Sequence, residues 1–153
     1  MPTVPCWPPS AGCPQADSRL IGHYKKHFRP SALQAEPYAI LALSVFCADS
    51  EERARLLQLT YDINLLRFFS GQSDGRSLTP EEVANYPIGP QEEAFIASRV
   101  PGRATGTPAQ VRARLEYLAE LHQADEIMAV SNMYYCEDRK RCFELLRDSF
   151  AND

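Results

Sequence analysis

Two histidines four residues apart, His23 and His27, form the first pair whose spacing suits shared chemistry, because helical side chains at i and i+4 lie one above the other. No acidic or cysteine ligand stands at helical spacing beside them, so a helix face is the better reading than a metal centre. Cys6 and Cys13 are separated by six residues, which matches no common zinc site. Cys47 sits in an apolar run with no basic neighbour to depress its thiol pKa, which marks packing rather than a nucleophile. Arg103, on the approach to Thr107, carries donors suited to an anionic substrate, with a solvated loop arginine as the other reading. No serine, histidine and acid arrangement, no paired catalytic carboxylates and no P-loop is found.

The elements that must position these groups are read from caps and periodicity. Residues 1–18, MPTVPCWPPSAGCPQADS, hold five prolines and no periodic apolar pattern, which predicts a disordered arm. A helix follows from Arg19 and is ended by Pro30. The run 39–47 is apolar nearly throughout, after Pro37, and predicts a buried parallel strand. Asp49, with Glu52 three residues on, predicts the cap of a helix over 51–70. That helix carries Ala54, Leu57, Tyr61, Leu65 and Phe68 on one face and Leu56, Leu59, Ile63 and Leu66 on another, a surface too wide for cover from one side.

An insertion over about 71–105 contains two short helices introduced by Thr79-Pro80 and Gly89-Pro90. Thr107, Pro108 and Gln110 then start a helix whose stripe is Val111, Leu115, Leu118 and His122. The run Ile127-Met128-Ala129-Val130 predicts a second strand, buried on both faces and central. A last helix over 137–150 buries Cys142 or Phe143, Leu146 and Phe150.

The composition is that of an ordinary globular domain, and the order of helices and strands gives two α/β repeats. A net charge of −4 offers no basic field for a phosphate backbone, which argues against nucleic acid. No segment nears the ~20 apolar residues of a membrane helix and no signal peptide is read, so a cytoplasmic protein is expected. Five cysteines at irregular spacing fit reduced thiols. Two parallel strands leave two apolar edges, whereas a closed barrel needs eight strands, so the sheet is expected to be incomplete.

Several motifs together carry a family resemblance. YKKHFRPSALQAEPYAILALSVFCADSEERARLL and GTPAQVRARLEYLAELHQADEIMAVSNMYYCEDRKRCFELLRDSF resemble the C-terminal part of luciferase-like flavin-dependent monooxygenases. The matching residues include Phe28, Pro30, Ser31, Glu36, Pro37, Tyr38, Gly106, Thr107, Pro108, Asp125, Glu126, Met128, Arg139, Arg141 and Glu144, and the likeness runs from about Arg19 onward. It implies the last two βα units of a TIM (β/α)8 barrel, a partial barrel domain over 19–153 with six strands absent. It also implies FMN as a reduced cosubstrate, molecular oxygen, and a flavin reductase as partner.

Barrel sites lie at the C-terminal ends of strands, which makes Asp49, Ser131, Asn132 and Tyr134 eligible and Arg103 a substrate-side candidate; each also has a loop or capping reading. The loop SNMYYCED has no glycine for a phosphate cradle, and a proline-rich arm stands where the family has its glycine- and serine-rich flavin-phosphate loop. Self-association or a complementary N-terminal barrel portion would cover the open edges. The competing reading is a small non-enzymatic α/β association module.

Overall fold

In the computed structural model, which describes residues 18–151, the apolar run after Pro37 becomes β1 (Ile40–Cys47), the middle strand of a three-stranded parallel sheet. β2 (Arg103–Gly106) pairs with one edge, from Ser44 opposite Arg103 to Cys47 opposite Gly106. β3 (Glu126–Val130) pairs with the other, from Ile40 opposite Glu126 to Ser44 opposite Val130. The two predicted strands are therefore adjacent and parallel, as expected. The third was missed, because Arg-Ala-Thr-Gly has no apolar run to announce it. The arm expected over 1–18 lies outside the described residues except for Ser18.

Six helices accompany the sheet among the described residues: α1 (Ser18–His27), α2 (Glu51–Phe69), α3 (Pro80–Val83), α4 (Pro90–Arg99), α5 (Pro108–His122) and α6 (Cys136–Phe150). Their starts follow from local chemistry. Thr79 and Glu82 form the reciprocal capping box of α3, with the Glu82 N–H donating to Thr79 Oγ1 at 3.2 Å and the Thr79 N–H to Glu82 Oε2 at 2.9 Å. At α5 the Thr107 N–H donates to Gln110 Oε1 at 2.9 Å. That helix ends with Gln123 in the left-handed region, the Ala124 N–H reaching back to the Ala119 carbonyl at 2.9 Å. The cap of α2 is Ser50, whose Oγ accepts from the Arg53 N–H at 3.2 Å, and not Asp49. Only Asp49 has a glutamate three positions on, but its carboxylate is engaged by an ion pair with Arg141.

Leu41, Leu43, Val45 and Cys47 of β1 share a core with Ala54 and Leu57 of α2, Val111, Leu115 and Leu118 of α5, and Cys142 and Leu146 of α6. The predicted α5 stripe is buried, His122 included. Along β1 burial alternates through Ser44, so that Ile40 and Ala42 are exposed while Leu41 and Leu43 are buried. Beyond Ser44 the strand is buried throughout, and the Phe46 ring meets Tyr61 of α2 at 5.7 Å between centroids. β3 corrects the expectation of a central, doubly buried strand: it is an edge, with Met128 49% and Val130 37% exposed and Ile127 and Ala129 only half-buried. Continuous apolarity made it look covered on both faces, yet along β3 and the N-terminal half of β1 the helices cover one face and Ile40, Ala42, Met128 and Val130 are left bare on the other.

The second apolar face of α2 meets α3 and α4, with Ile63 and Val83 buried and the Asn64 side chain clasping the Leu78 N–H at 2.7 Å and its carbonyl at 2.9 Å. Phe68, expected on the first face with Ala54, Leu57 and Tyr61, is 69% exposed, since it lies in the last turn of α2. Phe143 and Phe150 are likewise exposed at 43% and 42%, leaving Cys142 and Leu146 as the buried residues of α6. Among the described residues no helix is long and apolar enough to cross a membrane.

Gly106 joins β2 to the α5 cap at φ +143°, and a Cβ built there lies 2.4 Å from Gln110 Oε1, the acceptor of the capping box. Gly106→Ala therefore both strains the backbone and displaces the cap, and is expected to cost more than ~1 kcal/mol of stability. Urea unfolding monitored by circular dichroism measures this, and an unchanged midpoint would show that the turn relaxes without loss.

Candidate functional site at the strand ends

β1 delivers Cys47, Ala48 and Asp49 to its C-terminal end, β2 delivers Gly106, and β3 is followed by Ser131, Asn132, Met133 and Tyr134. Burial alternates along the last four: Ser131 and Met133 point inward, while Asn132 and Tyr134 are exposed. The Ser131 hydroxyl is buried beside the Cys142 thiol and has no hydrogen bond of ordinary geometry among the described residues. The Cys47 N–H, which points past the end of β3, donates to Cys142 Sγ at 3.4 Å. Burial pushes the Cys47 thiol up to about 12 and raises the Cys142 thiol as well, so both stay protonated at neutral pH and act as packing groups.

Tyr134 stacks edge-on against Tyr135 with centroids 4.9 Å apart, and the Tyr135 hydroxyl donates to Glu81 Oε2 at 3.0 Å. That bond raises the Tyr135 phenol and ties the loop after β3 to α3 of the insertion. Asp49 receives a forked pair from Arg141, Nε at 3.1 Å and Nη2 at 2.6 Å, which holds its carboxyl below the ordinary aspartate range. Arg53 Nη2 donates to both carboxylate oxygens of Asp138, at 2.7 and 3.0 Å, joining α2 to α6. These strand-end charges are matched in pairs, leaving Asn132 and Tyr134 as the exposed polar candidates.

Arg103 is not on a flexible loop. It opens β2 with its side chain buried, its Nη1 donating to Asp62 Oδ2 at 2.6 Å, Nη2 to Asp62 Oδ1 at 3.0 Å and Nε to the Arg99 carbonyl at 3.0 Å. Asp62 is fully buried in α2, with Gln58 Nε2 at 3.3 Å and a second cation, Arg99, at 3.3 Å. The Arg99 guanidinium in turn lies over Tyr61 and Phe95, 5.7 and 5.6 Å from the ring centroids. All three guanidinium nitrogens of Arg103 donate to protein oxygens in a buried setting, so the group holds the fold. The signal for it was Asp62 itself, a carboxylate set beside Tyr61 and Ile63 on a helix apolar on two faces.

His23 and His27 stack with ring centroids 4.2 Å apart, and His27 Nδ1 lies 2.9 Å from the His23 carbonyl oxygen. Among the described residues no group of three or more histidine, cysteine or acidic side chains is placed to hold a metal ion. An open apolar groove of about 400 Å³ runs between α5, β3 and α6, lined by Leu115, Ala119, Ile127, Ala129, Leu146 and Phe150. It contains none of the strand-end candidates.

Against this geometry, similarity to known proteins is consistent. No family model matches the chain. The uncharacterized protein YwcH of Bacillus subtilis (strain 168) is 34% identical over 132 residues, covering 86% of this chain and 40% of that protein. An Escherichia coli (strain K12) protein named luciferase-like monooxygenase is 26% identical over 125 residues, covering 82% of this chain and 37% of its own length. The crystal structure of apo-MsnO8 superposes with a TM-score of 0.76 at 27% identity, covering 88% of this chain and 41% of that one. This chain is distantly similar to proteins named luciferase-like monooxygenase. It spans about two fifths of the length of the curated relatives it matches.

Breaking the buried ion pair on one side leaves Asp62 charged and without its forked partner. Arg103→Met is expected to cost ~3–5 kcal/mol, with the double variant Asp62→Leu, Arg103→Met regaining most of the loss. Chemical denaturation of the three proteins checks this, and a single variant as stable as the parent would mean that Arg99 alone balances the carboxylate.

Proposed function

We propose that residues 19–153 are a sector of a flavin-dependent, luciferase-like (β/α)8 barrel, active when further polypeptide completes it. The observation that carries this is a partly covered parallel sheet: over β3 and the N-terminal half of β1 the helices cover one face, and Ile40, Ala42, Met128 and Val130 leave a bare apolar surface on the other. A barrel turns that surface into its packed interior. The likeness to a luciferase-like monooxygenase over most of this chain, but under half of that protein, supports the same reading.

In this reading reduced FMN and molecular oxygen supply the oxidative chemistry, with a flavin reductase as the source of reduced cofactor. The described residues suit one wall of such a site. Asn132 and Tyr134 face outward after β3 and can orient a ligand, the Tyr135–Glu81 bond holds their loop against the insertion, and Ser131 sets the loop's buried edge. They do not suit the flavin phosphate. The loop after β3 has no glycine, Gly106 is filled by the Gln110 side chain, and Arg103 is held by Asp62. The phosphate cradle therefore falls to the completing polypeptide.

The matched ion pairs of Asp49 and Arg103 favour a second reading, a non-enzymatic α/β module that uses its bare face for association. Flavin fluorescence titrations separate the two. The chain alone is expected to show no saturable binding of oxidised or reduced FMN, whereas a fusion placing it after the unmatched portion of the Escherichia coli relative binds both. Micromolar binding by the chain alone would put the whole site here, and no binding by a folded fusion would leave the association module.

A further inference from the structure

The cluster around Asp62 sets one carboxylate against two guanidiniums. Asp62 is wholly buried, the Arg103 side chain is 3% exposed and the Arg99 side chain 13%, so water screens these charges poorly. Arg103 takes both carboxylate oxygens, and Gln58 Nε2 adds a bond to Oδ2 at 3.3 Å. Arg99 is left with proximity alone. Its Nε lies 3.3 Å from Asp62 Oδ1 yet is buried without a hydrogen bond of ordinary geometry. Among the described residues its Nη1 and Nη2 donate to no acceptor, and no second carboxylate lies within ion-pair reach. The cluster therefore carries one positive charge in excess.

That guanidinium is held in place before any ligand arrives. The Arg99 carbonyl accepts from Arg103 Nε at 3.0 Å, which pins the end of α4, and the rings of Tyr61 and Phe95 lie 5.7 and 5.6 Å from the guanidinium carbon. Both aromatic residues are half-buried, and Val100, the next residue along the chain, is 51% exposed. A cation already positioned in this way loses little entropy on pairing. With Nε turned to Asp62, the end-on fork of Nη1 and Nη2 remains, and that fork matches the two oxygens of a carboxylate.

We propose that Arg99 anchors a binding site for a small monocarboxylic acid, with the carboxylate on the Nη1–Nη2 fork and an apolar tail against Tyr61, Phe95 and Val100. A single negative charge is what the cluster lacks, which favours a monocarboxylate over a phosphate. The half-buried rings and the exposed valine favour a tail that gains by leaving water. None of the strand-end candidates takes part, and every group of the site belongs to this chain, so it stands whether or not a barrel is completed around it.

NMR signals of the arginine Nε–H groups and of the Val100 methyls read this on the full chain. Sodium benzoate is expected to move the Arg99 and Val100 signals along one saturable curve with its midpoint in the millimolar range. Benzamide, which lacks the charge, and sodium chloride at equal ionic strength should leave both in place, and acetate should need a higher concentration than benzoate. Arg99→Lys keeps the charge and loses the fork, and is expected to weaken the Val100 response at least ~10-fold while the Arg103 Nε–H signal persists as a check on the fold. A response that grows linearly with benzoate, one that chloride matches, or equal binding by Arg99→Lys overturns the proposal, as does tighter binding of inorganic phosphate than of benzoate. So does a homodimer in sedimentation that Arg99→Lys dissolves, which would give the fork to a carboxylate of a second copy.

Discussion

A buried carboxylate on an otherwise apolar helix sets the position of most of what lies between α2 and α5. Removing Asp62 from water is costly, and the cost is offset only because Arg103 meets it with a two-pronged fork while Gln58 and Arg99 take up its remaining sides. Arg103 is also the first residue of β2, so the same contact anchors a strand of four residues that has no apolar run of its own. Arg114 of α5 adds to the hold, donating to the carbonyls of Pro101 and Arg103 at 2.9 and 3.3 Å. The insertion returns to the sheet at this point, Gly106 turns out of it, and the α5 cap begins. With β2 fixed against the C-terminal half of β1, the N-terminal half of that edge stays open.

Elements with their own caps and periodicity were legible in the sequence. The capping boxes at Thr79 and Thr107, the buried stripe from Val111 to His122 and the parallel pairing of the two apolar runs all follow from local rules. What escaped is what depends on distant partners. β2 exists because Asp62, forty-one positions earlier, receives Arg103. The choice of Ser50 over Asp49 as a cap was decided by Arg141 in the last helix, ninety-two positions away. The exposure of β3 is the third case, because apolar residues at every position declare what a strand can bury without saying whether a cover is at hand.

The candidate site was legible in a similar proportion. Strand-end placement of Asp49, Ser131, Asn132 and Tyr134 followed from the parallel strands, and the structure puts them there. It also groups them differently from a sequence reading: Ser131 joins the buried Cys47 and Cys142 pair, Tyr134 leans on Tyr135, and Asp49 is held by Arg141. Arg103 separates from all of them. The arrangement is a braced wall with two outward polar side chains, and chemistry at such a wall depends on what stands opposite.

Over β3 and the N-terminal half of β1 this sheet is covered on one face and bare on the other. Attenuation of side-chain NMR signals by a soluble paramagnetic agent reads that directly. Strong attenuation is expected at the methyls of Ile40, Ala42, Met128 and Val130, with Leu41, Leu43 and Val45 untouched. Equal shielding of both sets in the monomeric chain would contradict it, since the face taken as a barrel interior would already be closed.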